Sequence, residues 1–196
     1  MSAEEFFASS LGLRDKNIIS ELACLSSRRS VRQGDFLLKE GECQQEMLFL
    51  IDGVIRFFYI DVNGQEITDC FIAEPGIPIM ARPRLNLPSA VYVEAATDSE
   101  LFGIAAAGVD SMLQRHSELL RIYNRLIMDI LDMHWEIKTV VCGNTAMQRY
   151  EWFLKKYPGL IDRISHKHIA SFLQITPVTL SRLRRVLREQ RQGPPD

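Results

Sequence analysis

The strongest constraint on the fold lies between Ser117 and Cys142, a stretch without Gly or Pro whose apolar residues recur at helical spacing. That pattern predicts a helix of roughly seven turns at ~3.6 residues each. Leu120, Tyr123, Ile127, Ile130, His134, Ile137 and Val141 are spaced 3, 4, 3, 4, 3 and 4, an unbroken a/d register over three heptads. A second stripe, Leu119, Ile122, Leu126, Met133 and Val140, runs beside the first. A single wide face packed on the rest of the same chain would account for both stripes. Two adjacent stripes fit better if one packs at home and the other forms a coiled coil with a second copy. The seven seam residues are therefore the expected homodimer interface, with His134 as a polar residue that sets register at some cost in stability.

Charge divides the chain at the end of this helix. The formal net charge is −2, but residues 145–196 carry +6 and residues 1–144 carry −8. A basic C-terminal domain beside an acidic one directs attention to nucleic acid, which the near-neutral total conceals. With 46% hydrophobic and 24% charged residues, disordered, fibrous and membrane classes are disfavoured. The acidic start, Met1 to Phe7, lacks the basic flank and apolar core of a secretory signal. The most apolar run, Met47 to Ile60, is broken by Asp52, Gly53 and Arg56 and falls short of the ~20 residues a membrane span needs. A soluble, cytoplasmic protein is expected, with no membrane partner. Cys24, Cys43, Cys70 and Cys142 are widely spaced, without a C-x-x-C or a nearby histidine pair, so neither a zinc site nor a disulfide framework is signalled.

Residues 3–25 read as short amphipathic helices, with Phe6, Phe7, Leu11, Ile18, Ile19 and Leu22 as apolar positions. From about Ser30 to Ile104 the pattern changes to short strands at 36–38, 47–51, 54–60, 67–72, 89–95 and 100–104. Asp52-Gly53 and Asp61-Val62-Asn63-Gly64 supply turns. Pro75, Gly76, Pro78, Pro83 and Pro88 interrupt the stretch between the last two hairpins. An all-β roll followed by helices, an α+β chain, is the predicted class.

Gly143-Asn144-Thr145 marks a break. Beyond it come a helix to Lys156 ended by Tyr157-Pro158-Gly159, a short helix beginning at the N-cap candidate Ser165, and a turn at Gln174-Ile175-Thr176. A second helix follows from Pro177 to Arg188, with Thr176 as N-cap and Pro177 at the first helical position. Two short helices joined by a tight turn, the second rich in arginine, have the form of a helix-turn-helix. Gln174 stands where Gly is common. Residues 192–196, Gln-Gly-Pro-Pro-Asp, read as a frayed tail.

The order of roll, long helix and helix-turn-helix resembles the Crp/Fnr family of bacterial transcription regulators over about residues 15–190. Ile169-Ala170-Ser171-Phe172-Leu173-Gln174-Ile175-Thr176-Pro177-Val178-Thr179-Leu180-Ser181-Arg182 is similar to that family's DNA-binding segment. Phe49 to Arg56 and Val62 to Glu66 resemble the hairpins of a cyclic-nucleotide-binding-like domain. The resemblance implies a β-roll sensor with N-terminal helices (1–116), a dimerisation helix (117–142) and a winged-helix or helix-turn-helix DNA-binding domain (143–196). It implies double-stranded DNA with an inverted-repeat operator as partner, and RNA polymerase as a second. Arg182 matches the family's base-reading arginine, with Thr179 and Ser181 beside it. Val178 stands where better-known members carry an acidic residue. Lys167, His168, Thr176, Arg184, Arg185 and Arg188 are candidates for phosphate contacts, with Arg185 a further candidate for base reading.

The family's cyclic-nucleotide cassette is poorly matched. Counting back from Tyr92 places Ile79 at the position of the ribose-binding Glu, and Ser89-Ala90 at the position of the phosphate-binding Arg-Ser/Thr pair. Arg82 or Arg84 offers the only substitute charge in the loop, and exposed loop arginines are the simpler reading. No cofactor is expected and the effector is unknown. The cysteine spacing does not support an iron–sulfur sensor. A cupin-like enzyme would draw imidazoles from the roll, and no histidine precedes His116. His166 and His168 are roughly 200° apart on their helix at ~100° per residue, so they offer no chelate on one face. No catalytic residue and no metal ligand is assigned, and an interaction module without DNA contact is the remaining alternative. The cassette reading predicts that cyclic AMP and cyclic GMP bind worse than millimolar by calorimetry, since a buried phosphate without a guanidinium loses hydration that nothing replaces. Micromolar binding abolished by Arg82→Ala would make Arg82 a relocated phosphate ligand.

Overall fold

Turn chemistry cuts residues 26–105 into eight strands: β1 Ser26–Val31, β2 Phe36–Leu38, β3 Glu46–Asp52, β4 Ile55–Ile60, β5 Glu66–Ile72, β6 Pro78–Ile79, β7 Tyr92–Ala95 and β8 Ser99–Ala105. The computed structural model describes residues 1–192. The strands form two four-stranded sheets, in the orders β1-β8-β3-β6 and β2-β7-β4-β5, and their pairings are antiparallel. This is the expected roll. Around it lie α1 Ala3–Leu11, α2 Lys16–Leu25, α3 Ala106–Arg115, α4 Ser117–Gly143, α5 Ala146–Lys156, a 3-10 turn Leu160–Asp162, α6 His166–Phe172 and α7 Pro177–Gln192.

The near-continuous apolar run of β3 has a simple cause: both of its faces are covered. Leu48 and Leu50 meet Ile55, Phe57, Val93 and Leu101 in one core. Their alternating neighbours Met47 and Phe49 join Phe6, Phe7, Ile18, Leu22, Met112, Leu119 and Ile122 in a second. The N-terminal helices, α3 and the first turns of α4 thus cover the first sheet. The C-terminal helices share the core of the second sheet through Phe153, Tyr157, Leu160, Phe172 and Leu173. Among the described residues no helix is long and apolar enough to cross a membrane.

The structure departs from expectation in several places, among them the short β6 within the proline-interrupted stretch. β1, Ser-Ser-Arg-Arg-Ser-Val, is a polar edge strand paired with β8, and its lack of apolar alternation hid it. α3 occupies residues that carried no predicted element. The expected wing has no counterpart, since no described residue after Ala105 is in a strand. Residues 145–192 keep helical spacing between turn residues and offer no period-two run. Of the expected tail, Gln192 ends α7 and residues 193–196 lie outside the described residues.

The β3–β4 turn depends on Gly53, at φ 110°. A Cβ there would lie 2.1 Å from Ser99 Oγ and 2.7 Å from its Cα. Ser99 Oγ also accepts from the Val54 N–H at 3.3 Å, so the serine cannot simply turn away. Gly64, at φ 76°, has open space around it. Gly53→Ala should therefore destabilise the protein by about 2–4 kcal/mol, combining strain with a backbone clash. Gly64→Ala should cost about 1 kcal/mol through conformation alone. Urea midpoints of the two variants measure the difference, and equal losses would contradict the close packing at Ser99.

Candidate nucleic-acid interface

Ser165 caps α6 by accepting from the Lys167 N–H at 3.2 Å, and Thr176 caps α7 by accepting from the Thr179 N–H at 3.1 Å. Between them Gln174 adopts φ 51°, the left-handed geometry that lets the Ile175 N–H reach the Ala170 carbonyl at 3.0 Å. The turn has the shape a glycine would give it, made by a residue that bears the strain. Leu180 and Leu183 are buried against Ile169, Phe172 and Leu173, with Leu187 packed at the margin. This spacing turns the opposite face of α7 outward. Val178 is 79% exposed, and Ser181, Arg182, Arg185 and Arg188 are exposed along the same helix, while Thr179 and Arg184 are partly covered. Arg185 lies 3.8 Å from Glu189, one turn on, and Arg184 contacts His166 of α6. Thr176 and Lys167 are also exposed.

His168 does not belong with them. Its Nε2 lies 3.2 Å from Arg56 Nη1, and since a guanidinium only donates, the imidazole can only accept there, sharing the two Nη1 hydrogens with two carboxylates. Arg56, on β4, is 1% exposed. Its Nη1 donates to Glu66 at 2.9 Å and Glu94 at 2.8 Å, its Nε to Thr68 Oγ1 at 2.9 Å, and its Cζ lies 4.2 Å from the centre of the Phe58 ring. Burial pulls Glu66 upward, but the hydrogen bond and charge of Arg56 outweigh it and hold the carboxyl below its usual range. Burial, and then the Arg56 charge, hold His168 below the usual histidine value despite Glu94 and Glu66 nearby. Ser171 completes the junction. Its Oγ accepts from the Thr68 N–H at 2.9 Å and donates to the Glu66 carbonyl at 2.8 Å, so α6 closes the open side of β5. Phe71 of β5 meets Phe172 and Tyr157 at ring separations of 5.3 and 6.3 Å. Sequence reading missed this junction, although a lone Arg56 inside an apolar strand was its signal.

The two stripes of α4 separate less cleanly than their spacing implies. Leu119, Ile122 and Val140 are buried at home, and so are Ile137 and Val141 of the predicted seam. Tyr123 donates to the Pro83 carbonyl at 2.8 Å, and Ile130, half-buried, lines an open cavity. His134 Nδ1 lies 3.8 Å from Asp69, while Ile127 is half-covered. The exposed apolar face runs through Leu120, Met128, Leu131 and Trp135, the last three at 55%, 46% and 56% exposure. Turning the helix to satisfy its own roll displaces the free face from the a/d seam.

In the cassette region, Ile79 is buried in β6 opposite Leu48, and its carbonyl accepts from Gln44 Nε2 at 2.7 Å. Ser89 is buried with its hydroxyl donating to the Val91 carbonyl. Arg82 and Arg84 are exposed. A cavity of about 300 Å³ lies instead between Phe71 and Ile77 of the roll, Leu126 and Met133 of α4, and Tyr157. Burial pushes the Tyr157 hydroxyl well above its usual value.

Residues 28–116 match the cyclic nucleotide-binding domain family. The chain has the Crp/Fnr fold. FixK2 from Bradyrhizobium japonicum is 17% identical with a TM-score of 0.73, covering 84% of this chain and 85% of that one. CLP from Xanthomonas campestris, described as a c-di-GMP-responsive global regulator, is 12% identical with a TM-score of 0.72 over 89% and 92%. The catabolite activator protein of Thermus thermophilus is 21% identical with a TM-score of 0.55 over 93% and 88%. No curated protein matches the chain at a significant level. In this chain the α6–α7 pair rests on the roll, and His168 is part of the junction.

The native state favours neutral His168, so its stabilising contribution is complete above the unfolded value of ~6.5 and is lost as pH falls toward the lower folded value. Thermal unfolding between about pH 7.5 and 5.5 should show the wild type losing more stability than His168→Gln. Parallel curves would contradict a neutral imidazole on Arg56.

Proposed function

We propose that the chain is a homodimeric, sequence-specific DNA-binding transcription regulator with a β-roll effector domain, acting in the cytoplasm, and not an enzyme. The exposed face of α7 carries this reading: Val178, Ser181, Arg182, Arg185 and Arg188 point away from the roll on a helix whose other side is anchored by Leu180 and Leu183. Such a helix fits the major groove. Arg182 donates in bidentate fashion to guanine O6 and N7, with Thr179 and Ser181 at neighbouring base edges. Val178 cannot accept from cytosine but suits a thymine methyl. Lys167, Thr176, Arg184, Arg185 and Arg188 hold phosphates, which position the protein without specifying sequence. His168, engaged with Arg56, is left out of that set. RNA polymerase is the further partner that the resemblance implies. The mismatched cassette supports an effector other than a cyclic nucleotide.

Dimerisation uses the free face of α4, on which Met128, Leu131 and Trp135 extend the exposed seam position Leu120, with half-covered Ile127 beside them. A two-fold dimer presents two copies of α7, so the operator is an inverted repeat with half-sites about one helical turn, ~34 Å, apart. Selection from random duplexes should recover that repeat, and recovery of only asymmetric or unrelated sequences would contradict the proposal. On the selected operator, Arg182→Ala should cost roughly 1–3 kcal/mol per half-site and relax one base pair. Arg188→Ala should weaken all sequences alike and flatten the salt dependence by about one ion per half-site. Equal losses on operator and random DNA for Arg182→Ala would move base reading to Thr179, Ser181 or Arg185. Met128→Glu combined with Leu131→Glu should yield folded monomers in the ultracentrifuge, because like charges would meet across the two-fold axis. A folded, fully dimeric double variant would place the interface elsewhere.

A further inference from the structure

A bulge in β5 assembles a cluster that the cysteine spacing concealed. Phe57 pairs with Cys70 and Phe58 with Thr68, so Asp69 is the extra residue. In a regular strand Asp69 and Cys70 would point to opposite faces. The bulge breaks that alternation, and both side chains reach the point where α4 delivers His134. Asp69 Oδ2 and His134 Nδ1 are 3.8 Å apart, and the carboxylate, thiol and imidazole ligand atoms all lie within 4.8 Å of one another. We propose that Asp69, Cys70 and His134 bind one divalent transition-metal ion of the zinc type, a site independent of the DNA-binding reading.

The donor set selects the class of ion. A thiolate and an imidazole suit zinc, cobalt or nickel, whereas magnesium and calcium take oxygen ligands. Metal–ligand bonds of about 2.0–2.3 Å place tetrahedral ligand atoms about 3.5 Å apart. The present donor atoms, within 4.8 Å of one another, would have to draw closer to reach that spacing on binding. Cys70 is fully buried, while Asp69 and His134 are half-exposed on a cavity of about 310 Å³. The ion therefore approaches from solvent and keeps a fourth position for water. On binding, the Cys70 thiol releases its proton to solvent as the metal–sulfur bond forms, and neutral His134 and ionised Asp69 supply the other two donor atoms. The same cavity is bounded by Phe172 and Gln174, so a bound ion would fasten β5 to α4 beneath the α6–α7 turn.

The test uses the full chain, stripped with chelator, kept reduced and titrated with cobalt(II). The wild type should bind one ion per chain, developing thiolate-to-cobalt charge-transfer absorption that zinc(II) abolishes by displacement. Cys70→Ser should lose that absorption, His134→Gln and Asp69→Asn should each weaken binding by about ten-fold or more, and Cys142→Ser should change nothing. The proposal is overturned if saturating cobalt gives the wild type no charge-transfer absorption. It is equally overturned if the signal disappears in Cys142→Ser but survives Cys70→Ser, or if His134→Gln and Asp69→Asn both bind as the wild type does. Should Cys70→Ser fail to fold, the two half-exposed ligand variants decide the matter.

Discussion

Arg56 is a permanent positive charge buried in the roll, and a charge so placed is tolerated only when it is paired and hydrogen-bonded. Glu66 and Glu94 neutralise it, Thr68 accepts from Nε, and Phe58 offers the face of its ring. A further contact comes from a different part of the chain, since His168 Nε2 of α6 lies 3.2 Å from Nη1 as a third acceptor sharing its two hydrogens, while Nη2 is buried without a hydrogen-bond partner. The docking of the C-terminal helices is thus tied to the electrostatics of a single β4 side chain. Ser171 and Phe172, on the same helix, bond the free edge of β5 and fill the space beside Phe71. An edge strand invites another chain to pair with it, and here α6 closes that edge.

This arrangement gives α6 two duties. Ile169, Phe172 and Leu173 support α7 from below, while His168 and Ser171 hold the roll. The arginine face of α7 remains outside the junction. β5 thus touches α6 and α6 touches α7, so direct contacts join the roll to the arginine helix. The bulge at Asp69 lies on this same strand, between the Thr68 amide that bonds Ser171 and the Phe71 ring that meets Phe172. α4 approaches it from the other side through His134.

What could be read from the sequence follows from which interactions are local. The hairpin turns at Gly53 and Gly64, the caps at Ser165 and Thr176, and the amphipathic pattern of α7 are each written within a few residues, and the structure agrees with them. The roll, the long helix and the exposed arginines were legible for that reason. β1 was not, because a polar edge strand derives its order from β8 rather than from its own composition. The burial of Ile137 and Val141 was hidden because a heptad register records which residues share a face, not which neighbour covers it. His168 looked like a phosphate ligand for the same reason: its partner Arg56 is remote in sequence and close only in the fold. The cluster of Asp69, Cys70 and His134 depends on a bulge, which period-two reading cannot detect.

The docking of α6 on the roll is the central claim, and the Thr68 amide reports on it directly. Its N–H donates to Ser171 Oγ rather than to a neighbouring strand, so its protection exists only while α6 is in place. Residue-resolved hydrogen exchange on the full chain should find this amide protected as strongly as the β4–β5 ladder, and Ser171→Ala should lower that protection selectively. Exchange at the rate of an open edge strand in the wild type, unaltered by Ser171→Ala, would contradict the docked arrangement.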